Sequence, residues 1–459
     1  MTAQERPLAD LKIIVIGAGF GGLAAAIELA SRGAHVRIFE SYPDTKKQGD
    51  VIQIPANATR LMAKWGHVLD GIVDESACPE NMTILDQHGK VLFNQELHTS
   101  FDGYPNLYSH RGGVQQRMLT HALNLGVEIH FGVPVTDIAE SEHAAAVVAG
   151  GETWDADGII GADGVRSISR RHILGKDDKP KKSGFAVYRS WFSLDVLKEN
   201  PLTSEIATSG TDLIKIWIAQ DTHAILTTNT AANAATCFVT HKDLSEISED
   251  WHVKGNVDEM LSCVQGWDEQ LRHIIEKIPP ECLIDHKLLW RDPVPQWVST
   301  GGRVCVVGDA AHPHLATSGT GAAQAIEDGA CIATLLQKTG RDADIQLAFR
   351  AYQKLRYERT SLTQRMGWET RHIWHQTDWE AIAANPSMLK LPQPEWLLGS
   401  DASEYAAEKF ELVKSHLQNG TPFTSTNVPP GYVHKDWTID EMLSHEGKRV
   451  AGDFYQTRD

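Results

Sequence analysis

Cysteine is scarce, with six in 459 residues, at Cys78, Cys237, Cys263, Cys282, Cys305 and Cys331. None forms a C-x-x-C pair or alternates with histidine at metal-ligand spacing, so neither a disulfide framework nor a metal site is expected. Cys305 and Cys331 fall inside apolar segments and read as small core residues. Positive charge is also in deficit: 43 Lys and Arg face 60 Asp and Glu, a formal net charge of −17. That balance argues against nucleic acid or an anionic membrane surface as a partner. No apolar run approaches the roughly twenty residues that span a bilayer, and the opening MTAQERPLADLK has no apolar leader core. There are no repeats, low-complexity tracts or lipidation motifs. The expectation is a soluble, cytoplasmic protein of a reducing compartment, long enough for two or three domains.

What the chain does have is concentrated in residues 11–41, LKIIVIGAGFGGLAAAIELASRGAHVRIFES. An apolar, β-branched run from Ile13 to Ile16 reads as a buried parallel strand and enters Gly17-x-Gly19-x-x-Gly22. An Ala/Leu-rich helix follows, and a second apolar run ends on Glu40 at dinucleotide-fingerprint spacing. Gly17 allows the tight turn, Gly19 lets the backbone approach a pyrophosphate, and Gly22 lets helix and strand pack closely. The helix N-terminus offers free N–H groups and positive dipole to phosphate. Glu40 is placed to accept from ribose hydroxyls.

Further along, a loop enters a short helix expected to be capped near Asn57. Residues 82–101 alternate as short strands with a turn at His88-Gly89. A helix from Gly113 to about Leu125 precedes an extended run, a hairpin and a buried strand at 158–160. From 181 to 289 longer alternating runs predict an antiparallel sheet, closed by one amphipathic helix over about 258–278. GGRVCVVGDAAHP then returns to a strand-into-turn pattern, so the chain leaves the nucleotide domain and comes back. The tail carries Trp368, Trp374, Trp379, Trp396 and Trp437, read as packing residues.

Two more motifs follow apolar strands: Gly161-Ala162-Asp163-Gly164-Val165-Arg166-Ser167, with Arg170 beyond, and Gly308-Asp309-Ala310-Ala311-His312-Pro313. A helix then opens at Gly319-Thr320-Gly321-Ala322, its N–H donors able to face an electron-rich ring edge. In this order and spacing the motifs closely resemble the group A flavin-dependent monooxygenases of the p-hydroxybenzoate and salicylate hydroxylase type, over residues 11–365. Weaker cues agree: Asn57 in IPANATRL, Arg111 in HRGGVQQRML, VYR ending at Arg189, WRDPVPQW, and YQKLRYERT.

The resemblance implies an α/β fold: a discontinuous Rossmann-like FAD-binding domain (1–80, 102–180, 290–365) and an inserted, mainly antiparallel substrate domain (81–101, 181–289). A C-terminal helical region (366–459) would follow. It implies that Gly17, Gly19 and Gly22 hold the FAD pyrophosphate and Glu40 the adenosine ribose. Arg111 would reach the cofactor from its helix, and Val135 would contact adenine through its backbone. Asp309 would bind the ribityl or pyrophosphate portion, and Thr320, Gly321 and Ala322 would face the flavin N1/O2 edge. Asp163 belongs to the motif that serves both FAD and the pyridine nucleotide. The sequence departs from the pattern at Gly49-Asp50-Val51, where the family has G-A-G or G-A-A next to a flavin contact expected at Val51. It departs again at residues 314–323, which lack the usual prolines, and at Thr227-Thr228, where Tyr-Pro is common.

The implied chemistry is NAD(P)H- and O2-dependent hydroxylation of an electron-rich aromatic, through a flavin C4a-hydroperoxide. The substrate would be phenolic, salicylate-like or of polyketide or alkaloid type. An epoxidase, oxidase or halogenase on the same fold is the alternative, although the halogenase W-x-W-x-I-P motif is absent. A phenolic ring reacts faster as phenolate, so a fixed cation would help. Arg189 is that candidate, with an interdomain ion pair as its other reading. His314 is a candidate to face the substrate, His312 a packing or cofactor-shell residue, His223 a surface residue, and Tyr188 core.

Overall fold

The structure is a computed structural model and describes residues 7–44, 49–176, 178, 181–242, 254–340 and 344–444. Expectations for the first six residues and for the tail beyond 444 lie outside the described residues. Five strands form one all-parallel sheet in the order Val304–Val306, Gly158–Gly161, Lys12–Ile16, His35–Glu40, Glu128–Phe131. The near-continuous apolar runs suit it, because both faces are covered. The helices Phe20–Ser31 and Gly321–Lys338 pack together against it, and at Gly329 a Cβ would stand 2.5 Å from the Ala25 backbone nitrogen. The last strand arrives some 140 residues after its neighbour Gly158–Gly161, so the chain does return to its first sheet.

The second large sheet runs Leu283–Trp290, Lys181–Ser190, Ala234–Lys242, Thr222–Asn229, Ile214–Ala219, Asn81–Asp86, Val91–Glu96, antiparallel except where Ile214–Ala219 meets Asn81–Asp86. Period-2 alternation divides its residues. Tyr188, Ala224, Leu226, Cys237 and Val239 pack under the helices Val257–Cys263 and Glu269–Glu276. Phe185, Arg189, His223 and Ile225 take the opposite face, toward the long helix Ile345–Gln376 and the strand Val51–Ile54.

Two local expectations are corrected. The amphipathic segment over 258–278 is two helices, broken where Gly266 takes φ +75° and where Asp268 caps the second by accepting from Gln270 N. Asn57 does not cap its helix. Pro55 holds the N-cap, and the fully buried Asn57 side chain donates instead to Glu327. The long helix Ile345–Gln376 runs unbroken across the domain boundary expected at 365/366. Cys305 and Cys331 are core, and of the tail tryptophans Trp379 is largely exposed while Trp368, Trp374 and Trp437 are buried. Among the described residues no helix is long and apolar enough to cross a membrane.

Candidate functional site

The first strand ends in Gly17 at φ +100°, a conformation only glycine adopts readily. Its N–H bonds to Phe39 O at 2.8 Å, and a Cβ there would lie 2.4 Å from Ala162 O. A Cβ at Gly22 would lie 2.0 Å from Gly17 O, so Gly22 exists for the close packing of turn and helix. Gly19 differs: among the described residues its Cβ position meets nothing within 4 Å. The helix behind it starts with no side-chain cap, leaving first-turn N–H groups aimed into that opening. Glu40 closes the loop. Its Oε2 accepts from Ala18 N at 2.7 Å, and its Oε1 from Tyr42 N at 2.9 Å.

The helix Arg111–Asn124 braces this loop, because Gln115 donates to Ala18 O at 2.8 Å and Arg111 lies 5.4 Å over the Phe20 ring. Arg111 also approaches Asp309, whose carboxyl is pushed up by burial and drawn back by Arg111 and His312. Asp309 sits in the turn after the strand Val304–Val306. Arg170 pins that turn, donating to the carbonyls of Ala310 and Ala311 at 3.3 and 2.9 Å. Thr320, Gly321 and Ala322 follow at the start of the helix Gly321–Lys338; among the described residues no side chain caps it and the buried Thr320 Oγ1 has no hydrogen-bond partner. An open cradle at Gly19, a recessed acid beside an arginine, and a second uncapped helix start with an orphaned hydroxyl all suit an elongated phosphate-bearing cofactor with a polar ring edge.

Other expected site residues stand differently. Asp163 is turned into its own loop, where it accepts from Ser167 Oγ at 2.5 Å and from both Ser169 N and Ser169 Oγ at 3.0 Å. Val135 is half-buried and starts the strand Val135–Glu140, two residues beyond Val133, whose N–H bonds to Glu40 O at 2.9 Å. Val51 pairs with His110 in a two-stranded ribbon and packs toward the second sheet.

Arg189 forms an ion pair with Asp50, both largely buried, with the His286 ring nitrogen 3.5 Å away. This is the ion-pair reading of Arg189, and its partner is the residue at which the sequence departs from the family loop. His314 donates from Nε2 to Thr363 Oγ1 at 2.9 Å, since that hydroxyl itself donates to Thr360 O. Burial brings the His314 pKa down to about 3, so its imidazole is neutral. His312 is fully buried and bonds to Asp328 at 2.6 Å, under Trp297. His223 is no surface residue. It is buried against the long helix, its Nδ1 2.7 Å from His375 Nε2, and burial lowers its pKa to about 3.

The residues sequence reasoning missed form a buried network between the helices Gly321–Lys338 and Ile345–Gln376. Arg356 and Arg359 both pair with Glu327, and Arg356 also pairs with Asp328 at 2.9 Å. Asp328 accepts in addition from Gly308 N at 3.0 Å, so the network registers the Asp309 turn. The quoted stretch YQKLRYERT holds both arginines, and it was the available signal.

A family model described as an FAD binding domain matches residues 10–364. The chain belongs to the FAD-dependent monooxygenases. It is 34% identical to Asperlicin C monooxygenase of Petromyces alliaceus over 440 residues, covering 91% of this chain and 93% of that protein. The crystal structure of FqzB superposes with a TM-score of 0.85 at 32% identity, covering 94% of this chain and 99% of that one. The structure of CtdE in complex with FAD and substrate gives a TM-score of 0.84 at 28% identity, covering 89% of this chain and all of that one (100%). The cofactor of this monooxygenase is FAD, and the fold is the α/β arrangement of its family.

Proposed function

We propose that this monooxygenase takes electrons from NAD(P)H and oxygen from O2 to hydroxylate a neutral, electron-rich aromatic ring of a polycyclic substrate. The bound FAD supplies hydride acceptance and oxygen activation. Gly17, Gly19 and Gly22 would hold its pyrophosphate, Glu40 its ribose, Val135 its adenine and Asp309 with Arg111 its central portion. Thr320, Gly321 and Ala322 would direct N–H groups at the flavin edge, where preorganised donors stabilise developing negative charge. Val51 would line the flavin, and Asp163 would act by locking its turn. Leu315, Trp368, Trp437 and Ile439 pack together and exclude water from the loop that carries His314.

The observation that carries the substrate class is the Asp50–Arg189 pair. An arginine whose charge is balanced by a buried carboxylate is poorly placed to hold a substrate carboxylate, because a second anion would leave one of the two uncompensated. His314 and His286, both neutral through burial, add no cation. The salicylate-like, decarboxylative reaction is therefore disfavoured relative to a neutral ring. Matched aromatics with and without a carboxylate (salicylate and salicylamide, indole-3-carboxylate and indole) test the reading. NADH and NADPH oxidation, oxygen uptake and product mass are measured for each. Neutral members should stimulate turnover and gain one oxygen atom. Preferential turnover of the carboxylates would overturn the assignment.

A further inference from the structure

The residue that sets the start of the Arg111 helix is His110. Its Nδ1 accepts from Gly113 N at 3.1 Å and caps the first turn. Its Nε2 meets the Gly49 backbone; a Cβ at Gly49 would stand 3.3 Å from that nitrogen. A ring nitrogen that accepts carries no proton, so the proton is on Nε2 and the neutral ring turns that N–H toward the Gly49 backbone. Trp191 meets the imidazole edge-on, centroid to centroid 4.8 Å. His110 is also paired with Val51, and Arg111 N donates to Asp50 O at 2.9 Å. One imidazole therefore joins three segments: the helix that carries Arg111, the loop that carries Asp50, and the second sheet two residues past Arg189. Ser, Thr, Asn and Asp are the usual N-caps. Their shorter side chains would cap the helix without spanning to Gly49.

We infer that His110 is a positioning residue for the FAD-dependent reaction, setting where Arg111 and the Asp50–Arg189 pair stand relative to cofactor and substrate. The inference rests on the proposed placement of Arg111 at the cofactor. His110 acts through its neighbours and touches no reacting atom. Protonation of Nδ1 would point an N–H at the Gly113 N–H and break the cap. Burial favours the neutral ring, opposed by the Gly49 carbonyl and by the carboxylates of Asp50 and Glu75. Those acids are themselves engaged by Arg189 and Arg117. Burial keeps the ring neutral to lower pH than a free imidazole, so the clamp is whole at neutral pH and fails only when acidification reaches below the ordinary imidazole range.

FAD release from the holoenzyme, followed by the rise in flavin fluorescence, tests this in wild type, His110→Ala, His110→Asn and Arg111→Ala. His110→Ala should release FAD about tenfold faster and divert NAD(P)H oxidation to hydrogen peroxide. His110→Asn keeps a cap without the Gly49 bond and should fall between. Wild-type release should accelerate on acidification below the ordinary imidazole range, and the His110→Asn rate should stay flat there. If Arg111→Ala sheds FAD quickly while His110→Ala holds it as wild type does, the inference is overturned and the Arg111 placement stands. If Arg111→Ala also retains FAD, both fall. Should His110→Ala fail to fold, the pH comparison decides, because a flat wild-type rate overturns the inference.

Discussion

The carboxylate of Asp50 and the guanidinium of Arg189 meet between the segment leading into the strand Val51–Ile54 and the second sheet. Burial lowers the arginine's pKa, aided by the nearby Arg111, and Asp50 opposes that shift by favouring the charged form. Asp50→Ala leaves a largely buried cation without its counter-ion, at a cost of about 3 kcal/mol. The double variant Asp50→Ala with Arg189→Met should recover most of that loss in denaturant unfolding of the holoenzyme. A double variant no more stable than the single would show that the pair is not the source of the effect.

The glycines of the first motif should separate by phenotype. Gly22→Ala places a Cβ 2.0 Å from Gly17 O and cannot be accommodated without moving backbone. It should abolish soluble folded protein. Gly19→Ala meets no atom of the described residues within 4 Å, so the chain should fold normally and purify with at least tenfold less FAD. Circular dichroism and the flavin absorbance per polypeptide measure the two outcomes. Full flavin occupancy in Gly19→Ala would contradict the cradle.

The His223–His375 pair makes stability acid-sensitive. Both imidazoles are held neutral by burial and by the nearby Arg371, His223 down to about 3. The unfolded chain binds protons from about pH 6.5 downward while the native state does not. Stability is therefore complete above about pH 6.5 and declines as the pH falls toward 3, by up to about 1.4 kcal/mol per pH unit for His223. His223→Leu should flatten the decline between pH 6 and 4 in a series of melting temperatures. An unchanged slope would refute the assignment.

Trp437 and Ile439 lie on Leu315 and Trp368, and three contacts tie the segment down. Trp437 donates to Ser361 Oγ at 3.0 Å, Ile439 N to Asp292 at 2.8 Å, and Lys181 pairs with Asp440 at 2.6 Å. Trp437→Ala should cost about 3 kcal/mol through the cavity it leaves. It should also raise hydrogen peroxide formed per NAD(P)H consumed, as the loop around His314 loses its cover. Unchanged peroxide yield with a lowered melting temperature would confine Trp437 to a structural part.

The parallel sheet, its glycine turn and the return of the chain near residue 304 were legible because each is written locally. An apolar run, a glycine where φ must be positive, and an acid at a strand end are adjacent in sequence. His223 was misread because its surroundings come from residue 375, which no local pattern reveals. The helix over 258–278 was misread as one because its apolar spacing continues across Gly266, although the Asp268 cap interrupts the backbone. Asp50 was visible only as a departure from an expected loop, and its meaning came from Arg189, far along the chain.

The sequence by itself determined the architecture and the cofactor class, since strand, turn and helix signals act over a few residues and a phosphate cradle is built from one such turn. Tertiary structure alone decided which charges cancel. Asp50 neutralises Arg189, Glu327 gathers two arginines, and His223 and His375 share a hydrogen bond, because electrostatic partners in a low-dielectric interior are chosen by proximity in space, which the order of residues does not encode.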